Sequence, residues 1–120
     1  MKYDKLDQDK TRYDLIPPEL LEGVGRVLTF GVAKYGARNW ESGAEYGRIF
    51  AAMMRHLWAW WSGKECDRES GLSHLWHAGA CLAFLITYAA RGMEEFDDRP
   101  NGTLRRPLGL LQRARRWARR

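Results

Sequence analysis

His56, His74 and His77 are the only histidines in this chain, and they fall within 22 residues of one another. The charged stretch between them contains Glu65, Asp67 and Glu69. Neutral imidazole and carboxylate are the side chains that hold divalent first-row metals. His74 and His77 stand at i and i+3, so on a helix they share one face. A cation held by such a set can neutralise phosphate oxygens and make a water nucleophilic near neutral pH. Asp67 and Glu69 are candidates both as ligands and as the base that orients that water.

A second group lies upstream: Lys10 and Arg12, then Lys34, Tyr35, Arg38, Asn39 and Trp40. Lysine and arginine hold phosphates, an amide reads a base edge, and an aromatic ring stacks on a base. Each alone is more often a surface or core residue; only the clustering suggests a nucleotide. Arg55, next to His56, has five fixed donors that suit a phosphate. Cys66 and Cys81 lack C-x-x-C spacing, which argues against a thiolate zinc site and points to a reducing compartment.

Helices must carry these groups. Residues 1–16 are polar and without period, an extended arm. Pro17-Pro18 then sets a helix start. Leu20, Leu21, Val24, Val27, Leu28, Val32 and Tyr35 form a helical stripe that Gly36 ends. Gly23, Gly25 and Gly31 weaken that helix and suggest close approach of a neighbour; with no strand before them, a dinucleotide or P-loop site is excluded. Residues 36–45 read as a loop, and Ser42 with Glu45 as a capping box for a second helix, about Tyr46 to Ser62. After a charged turn, Lys64 to Glu69, Ser70 is the expected N-cap of a third helix that runs to about Arg91. Residues 93–100 read as an acidic linker, and a short fourth helix is expected after Pro107. The expected architecture is all-α, a small antiparallel bundle. His56 lies seven residues before Gly63 and His77 seven after Ser70, so both should stand ~10 Å from the turn, with His74 one turn nearer.

The second helix carries Phe50, Trp58, Trp60 and Trp61 on nearly every face, more than one monomer's core can take. That predicts completion by oligomerisation, as a homodimer or homotetramer. The net charge of +5 is uneven: residues 101–120 hold seven arginines and no acid, so 13 basic and 15 acidic residues remain and residues 1–100 carry −2. Residues 1–100 thus read as the domain and 101–120 as a basic tail that could contact nucleic acid. No apolar run reaches the roughly 20 residues of a membrane span, and no leader is evident, so the expectation is cytoplasmic.

Four ordered strings carry a resemblance: Lys10-Thr-Arg12-Tyr-Asp14-Leu-Ile-Pro-Pro; Lys34-Tyr-Gly36 with Asn39-Trp40; Arg55-His56-Leu with Trp60; and Asp67-Arg-Glu69-Ser-Gly71-Leu-Ser-His74-Leu-Trp-His77-Ala. Over about residues 5–90 the chain resembles the phage dATP/dGTP diphosphohydrolase N-terminal family, itself similar to the MazG-like, all-α nucleoside triphosphate pyrophosphohydrolases. The resemblance implies metal-dependent hydrolysis of dATP or dGTP to the monophosphate and pyrophosphate, shaping a phage nucleotide pool in the host cytoplasm. MazG-type enzymes bind Mg²⁺ with Glu-Glu-x-x-Glu facing Glu-x-x-Asp; here Arg55-His56 and His74-x-x-His77 stand in those places. Imidazole favours Mn²⁺, Co²⁺, Fe²⁺ or Zn²⁺, with Mg²⁺ still possible. A further departure is Asp9 before Lys10, where the family pattern has glycine.

The resulting expectation is a metal-dependent deoxynucleoside triphosphate pyrophosphohydrolase. His56, His74, His77, Asp67 and Glu69 would hold the metal, with Asp67 or Glu69 catalytic. Lys10, Arg12, Lys34 and Arg55 would hold phosphates, and Tyr35, Asn39 and Trp40 the base. The alternative is a small helical nucleic-acid-binding phage accessory protein that works through its arginine-rich tail. An HD-type phosphohydrolase is disfavoured because no histidine is followed by aspartate.

Overall fold

A computed structural model describes residues 2–100; the basic tail, its expected fourth helix and its nucleic-acid role lie outside the described residues. Three α-helices make the fold, and no strand occurs among the described residues: α1 Pro18–Tyr35, α2 Tyr46–Trp61 and α3 His74–Ala90. Pro17 caps α1 from an extended conformation and Pro18 opens it. Proline loses nothing there, because the first-turn N–H groups have no partner within a helix. Gly36 ends α1 with φ 87°, its N–H donating to the Val32 carbonyl at 2.8 Å.

α3 packs against both α2 and α1. It is apolar nearly all round, as a helix with partners on two sides must be, and most of the buried residues lie on it: Ala78, Ala80, Cys81 and Tyr88. Small side chains there bring the helices close. Gly23 of α1 lies against Trp76, and a methyl group at Gly23 would fall inside the indole. A methyl at Gly79 would meet Val24 at 3.1 Å. Close approach therefore accounts for Gly23, but nothing lies within 4 Å of the space above Gly25 or Gly31.

Two helix starts differ from the sequence expectation. Glu45, not Ser42, is the N-cap of α2, and it makes no side-chain cap; Ser42 instead ends a 3-10 turn, Asn39–Ser42, that Gly43 leaves with φ 103°. The expected capping box does not form because Gly43 turns the chain between the two residues. α3 begins at His74 rather than just after Ser70, and its N-cap is Ser73, whose side chain accepts from the Leu75 N–H. Residues 66–73 are instead drawn into a tight hairpin. Cys66 bridges Ser73, Asp67 N–H donates to the Leu72 carbonyl at 2.8 Å, and Gly71 makes the turn with φ 73°.

The acidic stretch 93–100 folds back as a strap over the start of α2. Tyr46 Oη donates to the Met93 carbonyl at 3.2 Å, Gly47 N–H to Asp98 Oδ1 at 2.7 Å, and Phe96 lies over Gly43. Tyr88, 1% exposed, donates its hydroxyl to the Trp40 carbonyl at 2.6 Å, and the Trp40 ring stacks on Phe84 at 4.6 Å. The loop after α1 is thereby clamped to the second half of α3. No helix among the described residues is long and apolar enough to cross a membrane.

Candidate metal centre

The three histidines meet where α2, the hairpin and the first turn of α3 converge. His56 and His77 stack with centroids 4.5 Å apart and planes 10° from parallel, while His56 and His74 lie 5.1 Å apart and tilted. His56 Nδ1 is 2.8 Å from His74 Nδ1. At that distance one Nδ1 donates its proton and the other accepts it.

Asp67 enters from the hairpin. Its Oδ2 accepts from the Ser70 N–H at 3.0 Å and from Ser70 Oγ at 3.1 Å, and it lies 3.8 Å from His77 Nε2. One ligand atom from each of His56, Asp67 and His74 falls within 4.8 Å of the other two, and all three residues are half-buried. Two imidazole nitrogens at ~2.1 Å from one ion stand about 3.0–3.4 Å apart, depending on geometry. The His56–His74 pair is within a few tenths of an ångström of that spacing, and with Asp67 closing on it the set would offer the imidazole and carboxylate donors of a first-row cation site.

Electrostatics agree with that use. Burial, then the neighbouring His77 and His74, hold the His56 pKa below 6.5 against the pull of Asp67. Burial also lowers His77, with Asp67 opposing it. Both rings are therefore held towards the neutral form that binds metals. Burial alone would raise the Asp67 carboxyl, but the two Ser70 hydrogen bonds and the imidazoles outweigh it, and its pKa is lowered.

The other candidates are distributed as follows. Glu69 turns to α1, where its Oε1 is 2.6 Å from Lys34 Nζ, and both are exposed. That ammonium also lies 5.2 Å above the Tyr35 ring, and Glu69 holds the Lys34 pKa above 10.5. Tyr35 is exposed, Asn39 starts the 3-10 turn, and Trp40 has one face covered by Phe84. Arg12 pairs with Asp14 at 2.8 Å on the exposed arm, which also carries Lys10. Arg55 lines a shallow groove along α2 with Met54, Trp58, Ala59, Ser62 and Lys64. Ser70 is not the cap of α3; its hydroxyl sits 2.7 Å from His77 Nε2. An Asp-x-x-Ser spacing before a turn glycine was the available signal.

The family model described as dATP/dGTP diphosphohydrolase, N-terminal, matches residues 2–99. A protein of Salmonella phage PMBT28 that bears the name dATP/dGTP diphosphohydrolase is 40% identical over 82 residues, 68% of this chain and 28% of that protein. The chain thus spans little more than a quarter of the length of that curated relative. No solved structure matches it significantly.

Proposed function

We infer the function from one premise: the chain belongs to the dATP/dGTP diphosphohydrolase, N-terminal, family. On that basis it hydrolyses a deoxypurine nucleoside triphosphate to the monophosphate and pyrophosphate, in a metal-dependent reaction. The observation that carries this reading is the convergence of His56, Asp67 and His74 donors within 4.8 Å. When bound there, a divalent cation would neutralise phosphate oxygens and acidify a water.

The chain's own residues would do the rest. Asp67, with its lowered pKa, is a poor proton acceptor and a good ligand. Glu69, freed from its lysine partner, would act as the general base for the attacking water. Lys34, released from Glu69, would take a phosphate oxygen, with Arg55, Lys10 and Arg12 as further phosphate contacts. Asn39 and Tyr35 would face the base, while Trp40 holds their loop against α3. The water oxygen bonds to phosphorus, its proton passes to the carboxylate, and pyrophosphate leaves with the electrons of the broken P–O bond.

Trp58 and Trp61 are 68% and 73% exposed on α2, which supports a homo-oligomer as the working form. The test is pyrophosphate release from a panel of deoxynucleoside triphosphates with Mg²⁺, Mn²⁺, Co²⁺ or Zn²⁺. Release from dATP or dGTP should require a metal and fall at least ~100-fold in a His56→Ala, His74→Ala double variant. Full turnover by the double variant would sink the reading.

A further inference from the structure

Ser70 sits between the hairpin carboxylate and the imidazole of His77 and makes hydrogen-bond contacts to both. Its Oγ lies 3.1 Å from Asp67 Oδ2, 2.7 Å from His77 Nε2 and 3.1 Å from the Leu72 N–H. A hydroxyl has one proton to give and two lone pairs to receive with. The Leu72 amide can only donate, so it takes one lone pair. Asp67 is ionised and can only accept, so it takes the proton. The contact that remains, the shortest of the three, must then be one in which Ser70 accepts, and His77 must donate from Nε2.

The opposite assignment can be tried and fails on geometry. If Ser70 gave its proton to His77, Oγ and Oδ2 would face each other at 3.1 Å with no hydrogen between them. Two oxygen lone pairs at that separation repel in a half-buried site where water screens them poorly. His77 Nε2 also lies 3.8 Å from the Asp67 oxygen, whose negative charge favours a proton on that nitrogen.

We propose that Ser70 is a positioning residue: it holds the Asp67 carboxylate with its hydroxyl proton and fixes neutral His77 as the Nε2–H tautomer. The one lone pair that His77 can offer, to a cation or to a substrate proton, is then on Nδ1. This rests on the metal-centre reading only for its use, since the tautomer follows from the hydrogen bonds alone. It also limits His77 as a ligand, because its Nε2 is committed to Ser70. Removing such an outer partner of a ligand typically weakens metal binding about 10–100-fold.

The test uses the full chain in two measurements. Long-range ¹H–¹⁵N correlation spectra of the metal-stripped protein at neutral pH should show His77 protonated at Nε2 and bare at Nδ1. Titration with Mn²⁺ should show affinity about 10–100-fold weaker in Ser70→Ala, with loss of the fixed His77 tautomer, and recovery of both in Ser70→Thr. An Nδ1–H tautomer in the unaltered protein overturns the proposal whether or not any variant folds, as does a Ser70→Ala protein with unchanged tautomer. Unaltered protein that shows the Nε2–H tautomer but takes up no Mn²⁺ upholds the assignment and sinks the metal reading instead.

Discussion

At the scale of single residues, the direction of two imidazole shifts governs how the fold meets acid. His56 and His77 titrate below 6.5 in the folded chain. Between the unfolded value near 6.5 and the lower folded values, the unfolded chain binds more protons, so stability falls as pH falls through that window. Asp67 is shifted down from 3.8; its contribution is complete above that value and is lost only in stronger acid. Metal-free protein should therefore lose thermal stability on going from about pH 7 to pH 5. A His56→Gln variant should lose less, and an equal slope for both proteins would contradict the assignment. The histidines were legible in the sequence because imidazole is rare and its spacing is informative. Ser70 was not, because an Asp-x-x-Ser string serves equally as a turn or a cap, and only the hairpin decides between them.

Among the elements, α1 offers a contrast between two glycines two residues apart. At Gly23 a methyl group would fall inside Trp76, and at Gly25 it would meet nothing within 4 Å. Gly23→Ala should therefore destabilise the protein by ~1–3 kcal/mol through overpacking. Gly25→Ala, in a helix interior, should stabilise it by ~1 kcal/mol. Urea denaturation separates the two, and a destabilised Gly25→Ala would mean that another surface covers that face. The extent of α1 and its Pro18 and Gly36 limits could be read from sequence because proline and glycine act locally, whereas Leu20, Leu21, Val32 and Tyr35 of its apolar stripe are exposed. The start of α3 could not. Ser70 and Ser73 both suit a cap, and the choice falls to the bridge between Cys66 and Ser73, a contact that local sequence does not encode.

For the whole molecule, the buried apolar set among the described residues is small, consisting of Tyr46, Ala78, Ala80, Cys81 and Tyr88. Large side chains remain outside it, including Leu21, Phe50, Trp58, Trp61 and Ile86, each more than half exposed. On the proposed reading, exposed apolar surface on this scale would be covered by a second copy of the chain. Light scattering should give a mass of at least twice 14.0 kDa, and Trp58→Glu with Trp61→Glu should lower it. A monomer in the unaltered protein would exclude the oligomeric working form. Deleting residues 101–120 should leave pyrophosphate release within about threefold if those arginines serve only as phosphate contacts for nucleic acid.

The clamp of Trp40 on Phe84 and Tyr88 makes α3 a ruler. The histidine end of that helix and the clamped end are separated by the seven residues from His77 to Phe84, or ~10 Å of helix. That distance does not depend on the hairpin or the arm. On the proposed reading, it sets the length a substrate must have to reach from the loop of Asn39 to the cluster around His56. A nucleoside monophosphate would engage one end and leave the other without a partner. Competition binding should therefore rank dATP or dGTP at least ~10-fold above the matching monophosphate, a difference of about 1.4 kcal/mol. Equal competition would show that the ends of α3 do not act on one molecule.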